Sequence, residues 1–182
     1  MLATLDKDEP LDQPLAQRLH KLRQYIAAHE SRSLKQKLHC PSLDLCLPKP
    51  GLAQVAGFGK TEVASQILKD HLTHRTAWIE DKFSLYPPAL TQRSINQTKI
   101  LFAEAGSHIL WTTLQIVRSQ VFSLVFMKCP TPSENELRKL QLACEQSDTC
   151  LIHLSREPDP LWPFALVLNS STTGLKILRQ KG

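Results

Sequence analysis

The stretch GLAQVAGFGKTEVASQILKDHL, residues 51–72, decides the fold, because a short apolar run passes through a glycine-bearing turn into a helical segment. Short apolar runs continue to alternate with helical segments after it, and an almost wholly apolar run such as VFSLVFM is typical of a buried parallel strand. We predict strands at 52–56, 76–80, 99–103, 121–127 and 149–154, and helices at 60–73, 107–118 and 133–146. The closing pieces FALVLNSS and GLKILRQKG have no helix between them and therefore predict an antiparallel hairpin at the sheet edge.

The turn in the opening stretch has most of a phosphate-binding loop. Such a loop needs glycines for close backbone approach, a lysine for the β and γ phosphates, and a Ser or Thr for magnesium. The residues that meet these needs are Gly57, Gly59, Lys60 and Thr61. Gln54 stands where the first glycine of the motif belongs, although Gly57 could let a shortened loop turn. Two interpretations stay open, a loop that binds nucleotide and an inherited turn that binds none.

The segment before this turn divides into an arm and a linker. Its apolar residues recur at helical spacing at Leu15, Leu19, Leu22 and Ile26. This stripe predicts an N-terminal helical arm over 1–35, which could bind its own domain, another copy or a partner protein. Three prolines within 36–50 then predict a proline-bearing linker or a peripheral hairpin, ahead of an α/β core at 51–182.

Composition sets the class of protein. A chain of 182 residues with 42% apolar content predicts one soluble domain with room for a sizeable core. The formal charge of +5 is dispersed rather than gathered into a run, so it only permits an acidic partner. No stretch approaches the ~20 apolar residues of a membrane span, and the acidic N-terminus differs from a secretory signal. We therefore predict a cytoplasmic protein without membrane contact.

Several reactive or aromatic residues are candidates for sites. The five cysteines, odd in number and without a CxxC pair, predict reduced thiols with structural roles. His71 and His74 share a helix face without further ligands, so we predict a solvated helix end and no metal site. Trp78 and Trp111 lie in apolar segments, which predicts core packing for both. Trp162, in the loop DPLWPF, is either an anchor for a partner or a lid over the sheet edge.

From about residue 51 to 181 the sequence resembles the RecA-like superfamily, and within it the ImuA branch of bacterial DNA-damage mutagenesis, with SulA as a shorter relative. GFGKTEVASQIL resembles the phosphate loop and its helix, TAWIEDKFSLYPPAL the next strand and loop, and TLQIVRSQVFSLVFMK the approach to the acidic Walker B position. ELRKLQLACEQSDTCLIHLSRE and TGLKILRQKG resemble the following helix and strand and the terminal strand. LYPPAL, LRKLQLACEQS and GLKIL favour the ImuA and SulA branch. The resemblance implies a RecA-like core, a mostly parallel sheet flanked by helices.

The resemblance also implies that the catalytic machinery is degenerate. Lys82 falls where RecA has the glutamate that polarises the attacking water, and a protonated lysine cannot be that base. Lys128 falls on the Walker B aspartate and Arg156 on the residue that senses the γ-phosphate. Cations there oppose magnesium, so we expect little or no hydrolysis. Two alternatives stay open: Lys60, Lys128 and Arg156 could together hold a phosphate without metal, or Asp81 or Glu80 could serve as a displaced acid.

The function that the resemblance implies is binding without chemistry. An ImuA-like adaptor would bridge an ImuB-like polymerase-related protein, with RecA as a further partner, to an error-prone polymerase. The alternatives are a SulA-like inhibitor of the division protein FtsZ and a weak ATPase with a rearranged site. The first two hypotheses imply no cofactor, whereas the third implies ATP. The loops CPTPSE and EPDPLWP are short and proline-bearing, so RecA-type strand exchange on DNA is not expected, while other direct DNA binding stays open.

Overall fold

The computed structural model describes residues 38–159 and 163–180. Its strands are β1 (Leu38–Cys40), β2 (Leu45–Leu47), β3 (Gly51–Gly57), β4 (Thr76–Glu80), β5 (Ile100–Glu104), β6 (Leu124–Lys128), β7 (Cys150–Ser155), β8 (Leu166–Ser171) and β9 (Gly174–Gln180). Its helices are α1 (Lys60–Asp70), α2 (Pro87–Gln92), α3 (Ile109–Arg118) and α4 (Glu134–Ser147). The predicted strands and helices are all present, with ends that move by up to three residues, whereas the short helix α2 was not predicted.

Seven strands form one sheet in the order β5-β4-β6-β7-β3-β8-β9. Every neighbouring pair is parallel except β8 and β9, which are antiparallel. The predicted mostly parallel sheet with an antiparallel hairpin at one edge is therefore confirmed. Because the carboxyl ends of parallel strands meet at one edge, the residues that follow β3, β4, β6 and β7 are gathered there.

Helices cover both faces of the sheet and define two apolar clusters. On one face α1 packs its buried residues Val63, Ala64, Ile67 and Leu68 against the sheet. On the other face α3 and α4 bury Val117, Leu137 and Leu140. Helix α4 begins with a capping box, in which the Ser133 hydroxyl and the Glu136 carboxylate satisfy backbone N–H groups of the first turn.

Residues 38–47 form an antiparallel hairpin, the alternative considered for the proline-bearing segment. Cys40, Leu45 and Leu47 are buried in the same cluster as α1. The Asp70 carboxylate at the end of α1 accepts bonds from the Ser42 backbone N–H at 3.0 Å and the Ser42 hydroxyl at 2.7 Å. From residue 38 onward the predicted linker is therefore folded against the core, and the domain boundaries stay a prediction.

Two predictions about single side chains are wrong. Trp111 is 65% exposed, because the buried residues of α3 are Ile109, Thr113 and Val117, and Trp111 lies about 200° around the helix from Ile109. His71 is buried rather than solvated, because α1 ends at Asp70 and the His71 ring turns back to bond the Ile67 carbonyl at 2.8 Å.

The core packing predicted for Trp78 is confirmed, whereas the predictions for the arm and for Trp162 stay predictions. Trp78 is fully buried and its ring lies 4.8 Å from that of Phe126. All five cysteines are free, and Cys46 alone among them is not buried. Within the described ranges, no helix combines the length and the apolar character needed to cross a membrane. The arm over 1–35 with its apolar stripe, and Trp162, lie outside the described residues.

Candidate functional site: the carboxyl edge of the sheet

The turn that resembles a phosphate loop is very short. Strand β3 continues to Gly57 and helix α1 begins at Lys60, which leaves Phe58 and Gly59 between them. Both glycines have positive φ, 90° and 81°. A Cβ on Gly57 would lie 2.1 Å from the Ser170 carbonyl oxygen, so only glycine fits where the turn presses against β8. Two residues cannot wrap a chain of phosphates in the way that the full loop does.

Gln54 explains why the loop is short. It lies inside β3, in register with His153 of β7 and Val167 of β8, at the position where the full motif would leave the strand. Its buried side chain donates from Nε2 to the Ser155 hydroxyl at 3.0 Å and accepts at Oε1 from the Asp159 backbone N–H at 2.7 Å. Gln54 thus anchors the chain that follows β7, and the backbone around Gln54 pairs with β7 and β8 in the sheet.

The structure brings three of the predicted cations together. Lys60 begins α1, Lys128 ends β6, and Arg156 directly follows β7. The Arg156 carbonyl accepts the Gly57 backbone N–H at 3.1 Å, which holds the two chain ends side by side. Burial, and then the charges of Lys128 and Arg156, lower the pKa of the Lys60 ammonium. Three cations at the N-terminus of α1 favour an anion at this edge. Thr61 lies in the first turn of α1, beside Lys60.

Lys128 has a specific partner, which is the buried Glu80 at the end of β4. The two residues are in register across β4 and β6, with Lys128 Nζ 3.9 Å from Glu80 Oε2. Glu80 is 1% exposed and also accepts the Trp78 indole N–H at 2.9 Å and the Ser84 hydroxyl at 2.8 Å. Lys128 Nζ also contacts the Ser84 hydroxyl. Glu80 is therefore engaged by neutral donors and by a cation, and that cation, Lys128, is the residue that the resemblance aligns with the Walker B aspartate.

Lys82 does not join this cluster. Its side chain is exposed, and its backbone N–H donates to the Asp81 carboxylate at 2.7 Å. Lys82 and Asp81 instead line an open groove of about 460 Å³ at the ends of β4 and β6, together with Cys129 and Glu136. Burial raises the pKa of the Cys129 thiol to about 12, so this sulfur stays protonated and is a poor nucleophile.

His153, beneath the same edge, is buried and neutral. Its Nε2 lies 3.2 Å from the Cys129 carbonyl oxygen, and its ring stacks on Phe164 at 6.0 Å. Burial lowers the pKa of His153 to about 4. The pKa of the His153 imidazole is lowered and the pKa of the Cys129 thiol is raised, and both shifts oppose a thiolate–imidazolium pair. In the described part of the chain, no group of three or more His, Cys, Asp or Glu side chains is placed to hold a metal ion.

Phe58 is the residue at this edge that the sequence interpretation missed. Its side chain is 78% exposed at the tip of the turn, between the two positive-φ glycines. The signal was present in the sequence as GFG, because a large apolar side chain between two turn glycines has no strand or helix face to bury it. The edge therefore combines an exposed aromatic ring with a group of cations.

Comparisons with known proteins agree with this architecture. No protein-family model matches the sequence, and neither does any curated protein. Among solved structures, the RadB recombinase is similar with a TM-score of 0.55 and 14% identity, over 74% of this chain and 83% of that one. SulA from Pseudomonas aeruginosa is similar with a TM-score of 0.51 and 15% identity, over 58% of this chain and 96% of that one. The chain has a RecA-like fold. RadB and SulA share that fold with it, but their sequence identity to it is too low to indicate a shared activity.

Proposed function

We propose that the protein is an adaptor of the bacterial DNA-damage response, a RecA-like core that acts in the cytoplasm by protein–protein contacts with little or no ATP hydrolysis. One observation carries the proposal, the pairing of Lys128 with Glu80. Under the register that the resemblance implies, Lys128 takes the place of the carboxylate that would hold magnesium, and the nearby Glu80 is already engaged by Lys128, Trp78 and Ser84. The fold is kept, while the Lys128–Glu80 pair is neutral where magnesium would need negative charge.

The magnitude of this change in charge supports the proposal. A unit charge ~4 Å from another interacts by about 4 kcal/mol at an effective dielectric near 20, so a lysine at the magnesium position opposes the ion rather than attracting it. Phosphoryl transfer relies on positioning and on charge stabilisation, and both suffer when the metal and the base are lost together. The two-residue turn at Phe58 and Gly59 adds a second obstacle, since few backbone N–H groups can reach the phosphates.

The matched pair for a test of hydrolysis is the full chain and its Lys60→Ala variant. We expect the two proteins to release phosphate from Mg-ATP at the same background rate, because a general base typically contributes ~10²–10⁴-fold and Lys82 cannot supply it. The measurement is a coupled phosphate-release assay, with ATP binding followed by calorimetry in magnesium and in EDTA. Turnover that requires both magnesium and Lys60 would replace the adaptor by the weak-ATPase hypothesis, which Lys60 and Thr61 support.

The partners that we propose are an ImuB-like polymerase-related protein, RecA and an error-prone polymerase. The likeness to a recombinase fold and the resemblance of the LYPPAL, LRKLQLACEQS and GLKIL segments support this role. Affinity capture from damaged and undamaged cells, read by mass spectrometry, is the experiment that tests it. We expect a polymerase-related protein to be enriched after damage, and its absence from both samples would contradict the adaptor role.

A SulA-like inhibitor is the second candidate, and the comparison with SulA favours it, since this chain matches 96% of the SulA chain. Such an inhibitor would bind FtsZ and lower its polymerisation. Light scattering of FtsZ with GTP, with and without an equimolar amount of this protein, separates the two functions. An adaptor leaves the scattering unchanged, whereas a SulA-like inhibitor reduces it.

A further inference from the structure

We propose that Phe58 and the three cations beside it form a docking surface for an acidic segment of a partner protein that carries an apolar side chain. We call these cations, Lys60, Lys128 and Arg156, the basic cluster. The inference rests on the proposed adaptor function, because it names the surface through which the adaptor would contact its partner. It gives the edge of the sheet a use other than nucleotide binding.

The aromatic ring is held outward by a fixed turn. Gly57 is pinned against the Ser170 carbonyl, and the Gly59 carbonyl accepts the backbone N–H groups of Glu62 and Val63, so both sides of Phe58 are anchored. With 78% of its side chain exposed, Phe58 is the most exposed of the large apolar residues in the described ranges. A ring presented on a fixed backbone loses little freedom on binding, which suits a binding anchor.

Two of these cations form no ion pair within the described residues, and the third, Lys128, is paired with the buried Glu80. None of the ion pairs within residues 38–159 and 163–180 involves Lys60 or Arg156. Burial, and then the positive charges of Lys128 and Arg156, lower the pKa of Lys60. A partner carboxylate would relieve the repulsion among these cations, and the Arg156 guanidinium could donate two hydrogen bonds to it.

The spacing favours a peptide over a nucleic acid. β6, β7 and β3 are consecutive in the sheet, so the basic cluster spans about two strand spacings, roughly 10 Å, the length of about three extended residues. A single strand of nucleic acid is bound by successive stacking rings along a basic groove. Here the turn supplies one ring, with cations gathered around the chain that carries it. Two carboxylates that flank an apolar side chain match that arrangement.

The experiment begins with the full-length protein immobilised and used to select from a phage-displayed library of random 12-residue peptides. We expect the enriched peptides to contain an aromatic or aliphatic residue with Asp or Glu within three positions of it. The selected peptides are then synthesised with a fluorescent label, and their affinity is measured by anisotropy against Phe58→Ala, Arg156→Ala and Trp111→Ala variants. Trp111 is the matched control, because it is another exposed aromatic side chain but lies on α3.

Phe58→Ala is expected to weaken binding by about 10-fold or more, and Arg156→Ala by several-fold with a smaller salt dependence. Trp111→Ala should leave the affinity unchanged, and thermal melts should show that all three variants stay folded. Enriched peptides without an acidic bias, or an affinity that Phe58→Ala does not change, would overturn the proposal. Tighter, Phe58-dependent binding of a labelled 20-nucleotide oligo(dT) would also overturn it, in favour of nucleic acid.

This test separates the docking surface from the adaptor role. Peptide selection needs no cellular partner, whereas the capture experiment from damaged cells needs no knowledge of the surface. A Phe58-dependent acidic peptide without a polymerase-related partner would keep the surface and remove the DNA-damage role. A polymerase-related partner whose capture survives Phe58→Ala would keep the role and remove the surface.

Discussion

The substitution Gln54→Gly tests whether the motif or the fold decides nucleotide binding. It restores the missing first glycine and makes the spacing of the phosphate-loop motif complete. If the complete motif were sufficient for nucleotide binding, the variant would gain ATP binding. From the position of Gln54 within β3 we expect the opposite, a less stable protein that gains no ATP binding.

The loss of stability follows from what the Gln54 side chain does. It makes two buried hydrogen bonds, to Ser155 and to the Asp159 backbone, at about 1 kcal/mol each. Removal of a fully buried side chain of this length leaves a cavity worth about 2 kcal/mol at the low end. A glycine inside a strand adds roughly 0.5–1 kcal/mol. We therefore expect Gln54→Gly to lower the free energy of unfolding by about 5 kcal/mol, a large part of the stability of a typical domain.

Urea unfolding followed by circular dichroism measures this change, and Gln54→Met is the matched control. Methionine keeps the length of the side chain but makes neither hydrogen bond, so it should lose about 2 kcal/mol. ATP binding by calorimetry is measured on the same samples. A Gln54→Gly protein as stable as the original, with ATP binding that depends on Lys60, would refute our account of the turn.

Three further predictions concern the arm, the hairpin and the buried histidine. Deletion of residues 1–35 should leave a cooperative thermal transition, whereas deletion of 1–50 removes the buried hairpin and should give an insoluble or molten product, as seen in melts and dye binding. Changing Leu19 and Ile26 together to Asp should abolish self-association or partner binding while the core stays folded; unchanged mass in light scattering and unchanged capture would show that the stripe is internal packing. Since burial lowers the pKa of His153 to about 4 from its usual value near 6.5, the unfolded chain takes up the proton first as the pH falls. The free energy of unfolding, measured by urea titration, should therefore fall by about 3 kcal/mol between pH 6.5 and pH 4. A His153→Leu variant should lack this part of the pH dependence.

The sheet was predictable where the apolar runs were long enough. The run TAWIE gives β4 with the predicted ends, and the absence of a helix between the last two runs gives the antiparallel hairpin. The hairpin at 38–47 was harder, because strands of three residues are too short to show a period of two. Trp111 was misplaced because α3 is apolar on more than one face, so the sequence does not fix which face is buried.

The candidate site was predictable as a set of positions but not as a set of contacts. The motif placed Lys60 at the start of the helix after β3, and the resemblance placed Lys128 and Arg156 at the ends of β6 and β7, which parallel pairing brings to the same edge of the sheet. The pairing of Lys128 with Glu80 depends on the register of β4 against β6, which spans 48 residues of sequence and leaves no local pattern. The role of Gln54 depends on a bond to Asp159 across 105 residues. Long-range register of this kind is decided by the packing of the whole sheet.

The position of β3 has a consequence for how the chain reaches its structure. β3 is the first strand of the sheet in sequence, yet it lies between β7 and β8, where Gly51 pairs with Cys150 and Ala53 with Leu166. On a ribosome this strand therefore emerges about a hundred residues before either neighbour. Until they arrive, its apolar run GLAQVAG has two unpaired edges, and the non-local closure predicts slow folding. During this interval the exposed apolar run of β3 is the part of the sheet most open to aggregation.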